Sequence, residues 1–192
     1  MEQLFGDFVK EKQGKEYIEV HFSPTSTPLR ERWRNNSLSA NFLSEYWAVF
    51  FPAQDFPHQV RQHEIKGWIS YIANELLENV MKFSFKPDNN PVSMELHLYP
   101  KAFRFYTQNV VDPLQVTEFQ EFIDKLLTED TQEIQLQQIE KNAADTNRDV
   151  SRLGLLTLIN DYGARLAWRF ETRLDEEHPG IVTVTTMAEL SI

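Results

Sequence analysis

The chain has 192 residues, 41% of them hydrophobic, and a formal net charge of −10. That length and apolar share suit one compact domain with its own core. The acidic balance argues against nonspecific binding to nucleic acid or an anionic membrane, which rests on fields of Lys and Arg, and the absence of cysteine excludes disulfides, Cys–zinc sites and thiol nucleophiles.

From the N-terminus onward, "MEQLFGDFVKEKQGKEY" is too charged to serve as a signal peptide. No apolar run approaches the ~20 residues of a membrane span, so the expectation is a cytoplasmic protein. Residues 16–23, "EYIEVHFS", put Ile18, Val20 and Phe22 on one face, as a strand does. "SPTSTP" reads as a loop. Residues 37–51, "SLSANFLSEYWAVFF", predict a helix with Ser37 or Ser39 as N-cap. Pro52 and Pro57 then break the chain before a long helix of about 58–84. Its apolar residues Ile65, Trp68, Ile69, Ile72, Leu76, Val80 and Phe83 recur at helical spacing.

After the turn "KPDNNP", the alternating segments "VSMELHLY" and "AFRFYTQN" flank Pro100–Lys101 and predict an antiparallel hairpin. Asp112 before Pro113 is a good N-cap and first helical residue, and Val116, Phe119, Ile123 and Leu126 give the helix that follows one apolar face. "TQEIQLQQIEKNAADTNRDVS" is polar, with a weak stripe of Ile134, Leu136 and Ile139. It predicts a partly exposed helix followed by a loop, with the whole segment of about 128–151 mobile in the absence of ligand. "RLGLLTLINDYGA" predicts a short apolar helix ending near Gly163. "RLAWRFETRL" and "GIVTVTTMAEL" form a second hairpin across "DEEHPG". The sum is an α+β sandwich, an antiparallel or mixed sheet with helices packed on one face.

Glu75 and Asn79 stand out on the long helix. At i, i+4 they share one side of it, just beside the apolar stripe. A carboxylate and an amide carbonyl are hard oxygen groups of the kind that hold Mg²⁺ together with phosphates, and a carboxylate also orients or deprotonates an attacking hydroxyl. By spacing alone, an ordinary solvated helix edge accounts for the pair better than a site does, since Glu is common at exposed helix positions and Asn is an unremarkable neighbour. His21, His58, His63, His97 and His178 are scattered and complete no zinc set. Ser151 has no His–Asp couple near it in a nucleophile-elbow pattern. Arg148 and Arg152 in "NRDVSR" fit phosphate bidentately as well as they fit solvated loop charges. Trp33, Trp47, Trp68 and Trp168 read as core or interface residues rather than ligand stackers.

The segment "NELLENVMKF" resembles the N-box helix of the GHKL, or histidine kinase-like, ATPases. The resemblance implies a two-layer α/β sandwich of the Bergerat type over roughly residues 37–190, behind an N-terminal strand and extension of residues 1–36. It assigns Glu75 to the catalytic base and Asn79 to the Mg²⁺ ligand. "SRLGLLTLINDYGARLAWRF" is similar to the family's second glycine box, a turn that opens a helix onto phosphates. This adds Gly154, with Arg148 and Arg152 beside it, to the nucleotide site. The polar segment of about 128–151 takes the place of the ATP lid.

Departures from the pattern are equally specific. Where the family has Asp-x-Gly-x-Gly after the strand "AFRFYTQN", the alternation here puts Thr107, Asn109 and Val111, so the carboxylate that reads the adenine amino group is missing. Arg152 replaces the first glycine of the second box, and Phe83 stands where a histidine often follows the N-box. With no histidine-phosphoacceptor module ahead of it, the domain looks like the small anti-sigma-factor kinases, and most like their SiaB-type branch. That resemblance implies an ATP- and Mg²⁺-dependent Ser/Thr kinase acting on a STAS-like partner in a partner-switching system. The other reading is a binding module on the same fold, holding a nucleotide or flavin-type cofactor and working by docking without turnover; fold alone does not choose between them. The aromatic-rich stretch "ANFLSEYWAVFFPAQDF" has more apolar surface than one helix face buries, which predicts a homodimer.

Overall fold

A computed structural model describes residues 1–11, 14, 16–22, 33–52, 55–85, 92–144, 153–174 and 179–192. Along the chain run β1 (Glu2–Phe5), β2 (Glu16–Phe22), α1 (Trp33–Phe50), α2 (Phe56–Phe83), β3 (Val92–Tyr99), β4 (Ala102–Val111), α3 (Pro113–Thr128), α4 (Thr131–Ala144), α5 (Leu153–Asn160), β5 (Arg165–Leu174) and β6 (Pro179–Ser191). The fold is α+β: the helices pack on a six-stranded sheet of order β1-β5-β6-β4-β3-β2, antiparallel at every pairing.

Strand alternation decides which side chains meet the helices. In β4, Phe103, Phe105 and Val111 face the core, in β5 Trp168 and Phe170, and in β6 Val184 and Ala188. Opposite them lie Ile65, Ile69, Ile72, Leu76 and Leu77 of α2 and Leu43 and Trp47 of α1. Each Val, Leu, Ile or Phe side chain among them stabilises the fold by about 1.5–3 kcal/mol when taken from water. Trp47 and Trp168 are core residues and Trp68 is partly buried, with the Arg61 guanidinium 4.6 Å over its ring; the Trp33 side chain lies outside the described set.

The other face of the sheet carries a separate cluster. Phe8 meets the Tyr106 ring edge-on at 6.0 Å, and the Tyr106 hydroxyl donates to the Val9 carbonyl at 2.9 Å. Beside them Glu189, buried, accepts from Arg104 and Arg165.

Helix starts differ from the sequence reading in two places. α1 begins at Trp33, so Ser37 and Ser39 lie within it and do not cap it. Pro57 is part of α2 rather than a break before it. Asp55 is the N-cap, its carboxylate accepting from the His58 backbone N–H at 3.0 Å. A proline in the first turn forfeits no helical hydrogen bond, because that N–H has no partner inside the helix. At α3 the reading holds: Asp112 caps, accepting from the Leu114 N–H at 2.9 Å.

Residues 131–144 of the segment read as a lid form α4, with Ile134 buried and Leu136 and Ile139 exposed. The Asn160 amide ties its start to α5, donating to the Thr131 carbonyl at 3.1 Å and to Gln135 at 2.6 Å. The remainder, 145–152, falls outside the described residues. Among the described residues no helix is long and apolar enough to cross a membrane.

Candidate functional site

α2 is the spine of the site. Its buried stripe fixes its rotation against the sheet, and that rotation turns Glu75, Glu78, Asn79 and Lys82 toward the neighbouring α5. Its C-terminus is pinned to the end of β4. The Phe85 N–H donates to the Val110 carbonyl at 2.8 Å, and the Ser84 hydroxyl donates to the Val80 carbonyl at 2.5 Å. α3 closes the side, with Phe119 stacked 6.4 Å from Phe83 and edge-on to Phe170 at 5.8 Å.

These elements enclose two adjoining chambers. The larger is a cavity of about 370 Å³ walled by Leu76, Val80, Phe83, Val116, Phe119 and Leu155. Thr107 and Asn109 of β4, both buried, and Thr186 of β6 add its polar groups. The smaller, about 250 Å³, is lined by Tyr71, Glu75, Glu78, Leu153, Gly154 and Thr157. Asn79 and Lys82 line both.

Gly154 explains how closely α5 approaches α2. A methyl group there would overlap Oε2 of Glu75 and lie 3.8 Å from Nδ2 of Asn79. The missing side chain is what lets the Glu75 carboxylate occupy the gap between the two helices. Gly154→Ala is therefore expected to expel that carboxylate and to weaken binding of any ligand held in the chamber, while costing less than about 1.5 kcal/mol of fold stability, since a flexible side-chain end yields more easily than backbone. Chemical denaturation and nucleotide titration of the variant check both parts.

The electrostatics of the smaller chamber are uneven. Burial, and then the Glu78 carboxylate, push Glu75 above the usual carboxylate range, while the Tyr71 hydroxyl and Lys82 pull the other way. Burial and next the Glu75 charge push the Tyr71 hydroxyl up to about 12. Lys82 is paired with Glu78 at 2.5 Å. Among the described residues, Nδ2 of Asn79 is buried and has no hydrogen-bond partner, an unmet need that costs about 1–3 kcal/mol in a closed fold.

Of the residues singled out from sequence, Glu75, Asn79 and Gly154 converge, and Thr107 and Asn109 join Asn79 in the larger cavity. Arg148, Arg152 and Ser151 lie outside the described residues. Lys82, Tyr71 and Thr157 were missed. Lys82 was legible in principle, because it stands at i+3 from Asn79 and i+7 from Glu75 on one helix. Thr157 and the α3 wall had no local signal.

Among the described residues no group of three or more His, Cys, Asp or Glu could hold a metal ion by itself. Mg²⁺ does not require such a cage, since it is commonly held by one or two protein oxygens plus substrate phosphates and water. Asn79 fits that partial role. Its amide stands beside the gap that holds the Glu75 carboxylate, with Nδ2 3.8 Å from where a Cβ on Gly154 would lie.

Compared with known proteins, the sequence matches no protein-family model, and no curated protein is significantly similar to it.

Proposed function

We propose that this chain binds a nucleotide together with Mg²⁺ across the two chambers and transfers the terminal phosphoryl group to a Ser or Thr hydroxyl of a small STAS-like regulatory protein. The observation that carries the reading is the meeting of Glu75, Asn79 and Gly154 at the seam between an apolar-walled cavity and a polar one. Ligand pockets commonly measure about 300–1,000 Å³, and the larger cavity is of that size, at about 370 Å³. A base fits its apolar walls, leaving the phosphates beside Asn79 and Lys82.

Each residue then has a task. Asn79 offers an oxygen to the metal, whose chemistry when bound is to neutralise phosphate charge. Lys82 adds a cation on the same side. Glu75 accepts the proton of the attacking hydroxyl, and burial, which raises its pKa, makes it a stronger base than an exposed carboxylate. Resemblance to anti-sigma-factor kinases of the GHKL type supports the choice of acceptor.

One observation favours a second reading, a docking module without turnover. Thr107 and Asn109 give the larger cavity no carboxylate on β4, as suits a ligand other than an adenine nucleotide, a flavin included. Calorimetric titration with ATP, with and without Mg²⁺, tests the first reading, and the absorption spectrum of the purified protein tests the second. Mg²⁺-dependent ATP binding is the expected result. A tightly held visible chromophore, with no ATP binding, overturns the kinase reading.

A homodimer belongs to the same proposal. Leu38, Phe42 and Val49 of α1, with Phe56 and Val60 at the start of α2, remain exposed although the opposite side of α1 is buried. Light scattering at micromolar concentration is expected to give twice the chain mass, and Phe42→Glu to shift it toward the monomer. A monomer mass for the unmodified protein rejects the dimer.

A further inference from the structure

We propose that Tyr71 is the positioning residue of this site: its hydroxyl, one helical turn before Glu75 on the same face of α2, holds the Glu75 carboxylate in the gap left by Gly154, and its stack on Tyr162 keeps that hydroxyl in place. The proposal deepens the kinase reading and rests on it.

The need for such a residue follows from the gap itself. Gly154 makes room for the carboxylate but offers no side chain to hold it. A Glu side chain has rotamer freedom worth on the order of 1.5–2 kcal/mol, and a general base works only from a fixed position within hydrogen-bond reach of its proton. Lys82 is engaged with Glu78. Asn79, one turn onward, is the residue the proposed function assigns to the metal. Among the described residues Tyr71 is left: it stands one turn before Glu75 on the same face of α2 and lines the same chamber with Thr157 and Gly154.

The ring is held as well. Tyr71 and Tyr162 stack with centroids 4.9 Å apart and planes 16° from parallel. Tyr162 stands in the turn that ends α5, next to Gly163, whose φ of 65° suits the left-handed region. The Gly163 N–H donates to the Ile159 carbonyl at 3.1 Å and the Ala164 N–H to the Leu158 carbonyl at 2.9 Å. One end of the tyrosine pair is thus tied to the helix that carries Gly154 and the other to the helix that carries Glu75. The position of the base is set by how α5 sits on α2.

Tyr71→Phe keeps the ring and the stack and removes only the hydroxyl, so the fold is retained. The experiment is a double-mutant cycle of Tyr71→Phe and Glu75→Ala in urea unfolding, with Mg²⁺-ATP turnover measured on the same proteins. The unfolding constants are expected to show coupling of about tenfold between the two sites. In turnover, Tyr71→Phe should lower kcat about tenfold with KM for ATP within twofold, and should have no further effect once Glu75 is Ala. A purely structural tyrosine would give additive unfolding effects and an unchanged kcat, and either result overturns the positioning role. Coupling in a protein that binds no ATP overturns the proposed kinase while leaving the Tyr71–Glu75 link standing; additivity in a protein that turns over ATP removes the link alone.

Discussion

Glu75→Gln is expected to cut phosphoryl transfer by ~100- to 10,000-fold, the contribution of a positioned general base, while Mg²⁺-ATP affinity changes by less than about threefold. Gln keeps the length and shape of the side chain, so the gap beside Gly154 stays filled and the walls of both chambers are untouched. What the amide lacks is the basicity of a carboxylate, which the proposed proton transfer needs. Comparing transfer rates with calorimetric affinities for the two proteins separates the effects. A comparable loss of affinity would make Glu75 a binding residue and remove it as the base.

The same substitution has a second consequence, with a defined sign. Burial and the Glu78 carboxylate raise the Glu75 pKa in the folded state. A raised carboxyl binds its proton more tightly folded than unfolded, so its contribution to stability is present at low pH and lost as pH rises through the folded pKa. The window starts near the ordinary value of 4.5 and extends upward. Gln has no such loss. The variant should therefore unfold at a higher temperature than the unmodified protein at neutral pH, and the difference should shrink as pH falls toward the ordinary carboxyl range. Such an increase in stability on removing a buried carboxylate is what a residue kept for function rather than for the fold would give.

How much of this was legible in the sequence depends on whether the signal is local. α2 was visible because a buried helix needs apolar residues every third or fourth position, and Ile65, Ile69, Ile72, Leu76 and Val80 supply them. The cap at Asp112 and the hairpin across Pro100–Lys101 were visible for the same reason, since each is decided by neighbours in the chain. β1 was not: a strand of four residues is too short for alternation to register, and its place at the sheet edge depends on pairing with β5, more than 150 residues away. The site divides likewise. Glu75 and Asn79 share a helix and were found by spacing. Tyr71 sits at the same spacing on the N-terminal side, but nothing local distinguishes a tyrosine that touches a carboxylate from one that fills a core; its meaning comes from Tyr162 and Thr157, which only the packing of α5 brings near.

Asn79→Ala is expected to lose at least tenfold of the Mg²⁺-dependent affinity for ATP, about 1.4 kcal/mol, without lowering the stability of the ligand-free protein through any lost hydrogen bond to Nδ2. Among the described residues that donor is buried and without a partner, so removing it relieves a cost rather than breaking a contact. The base end of the ligand should be read weakly. Thr107 and Asn109 are 1% and 6% exposed and line the larger cavity with Asn79. A hydroxyl and a side-chain amide each donate and accept, so on β4 neither the amino group of adenine nor the carbonyl oxygen of guanine meets a group that rejects it; the carboxylate of the lining, Glu118, stands on α3. A carboxylate on β4 itself would accept only, and would discriminate. ATP and GTP should thus differ by less than the ~1–3 kcal/mol that a good bidentate contact gives in base readout, and Thr107→Asp should widen the difference in favour of ATP. Titration of both nucleotides into the unmodified protein, Asn79→Ala and Thr107→Asp settles the point. If Asn79→Ala binds Mg²⁺-ATP as tightly as the unmodified protein, the metal is held elsewhere; if neither nucleotide binds at all, the cavity belongs to another ligand and the docking reading takes the place of the kinase.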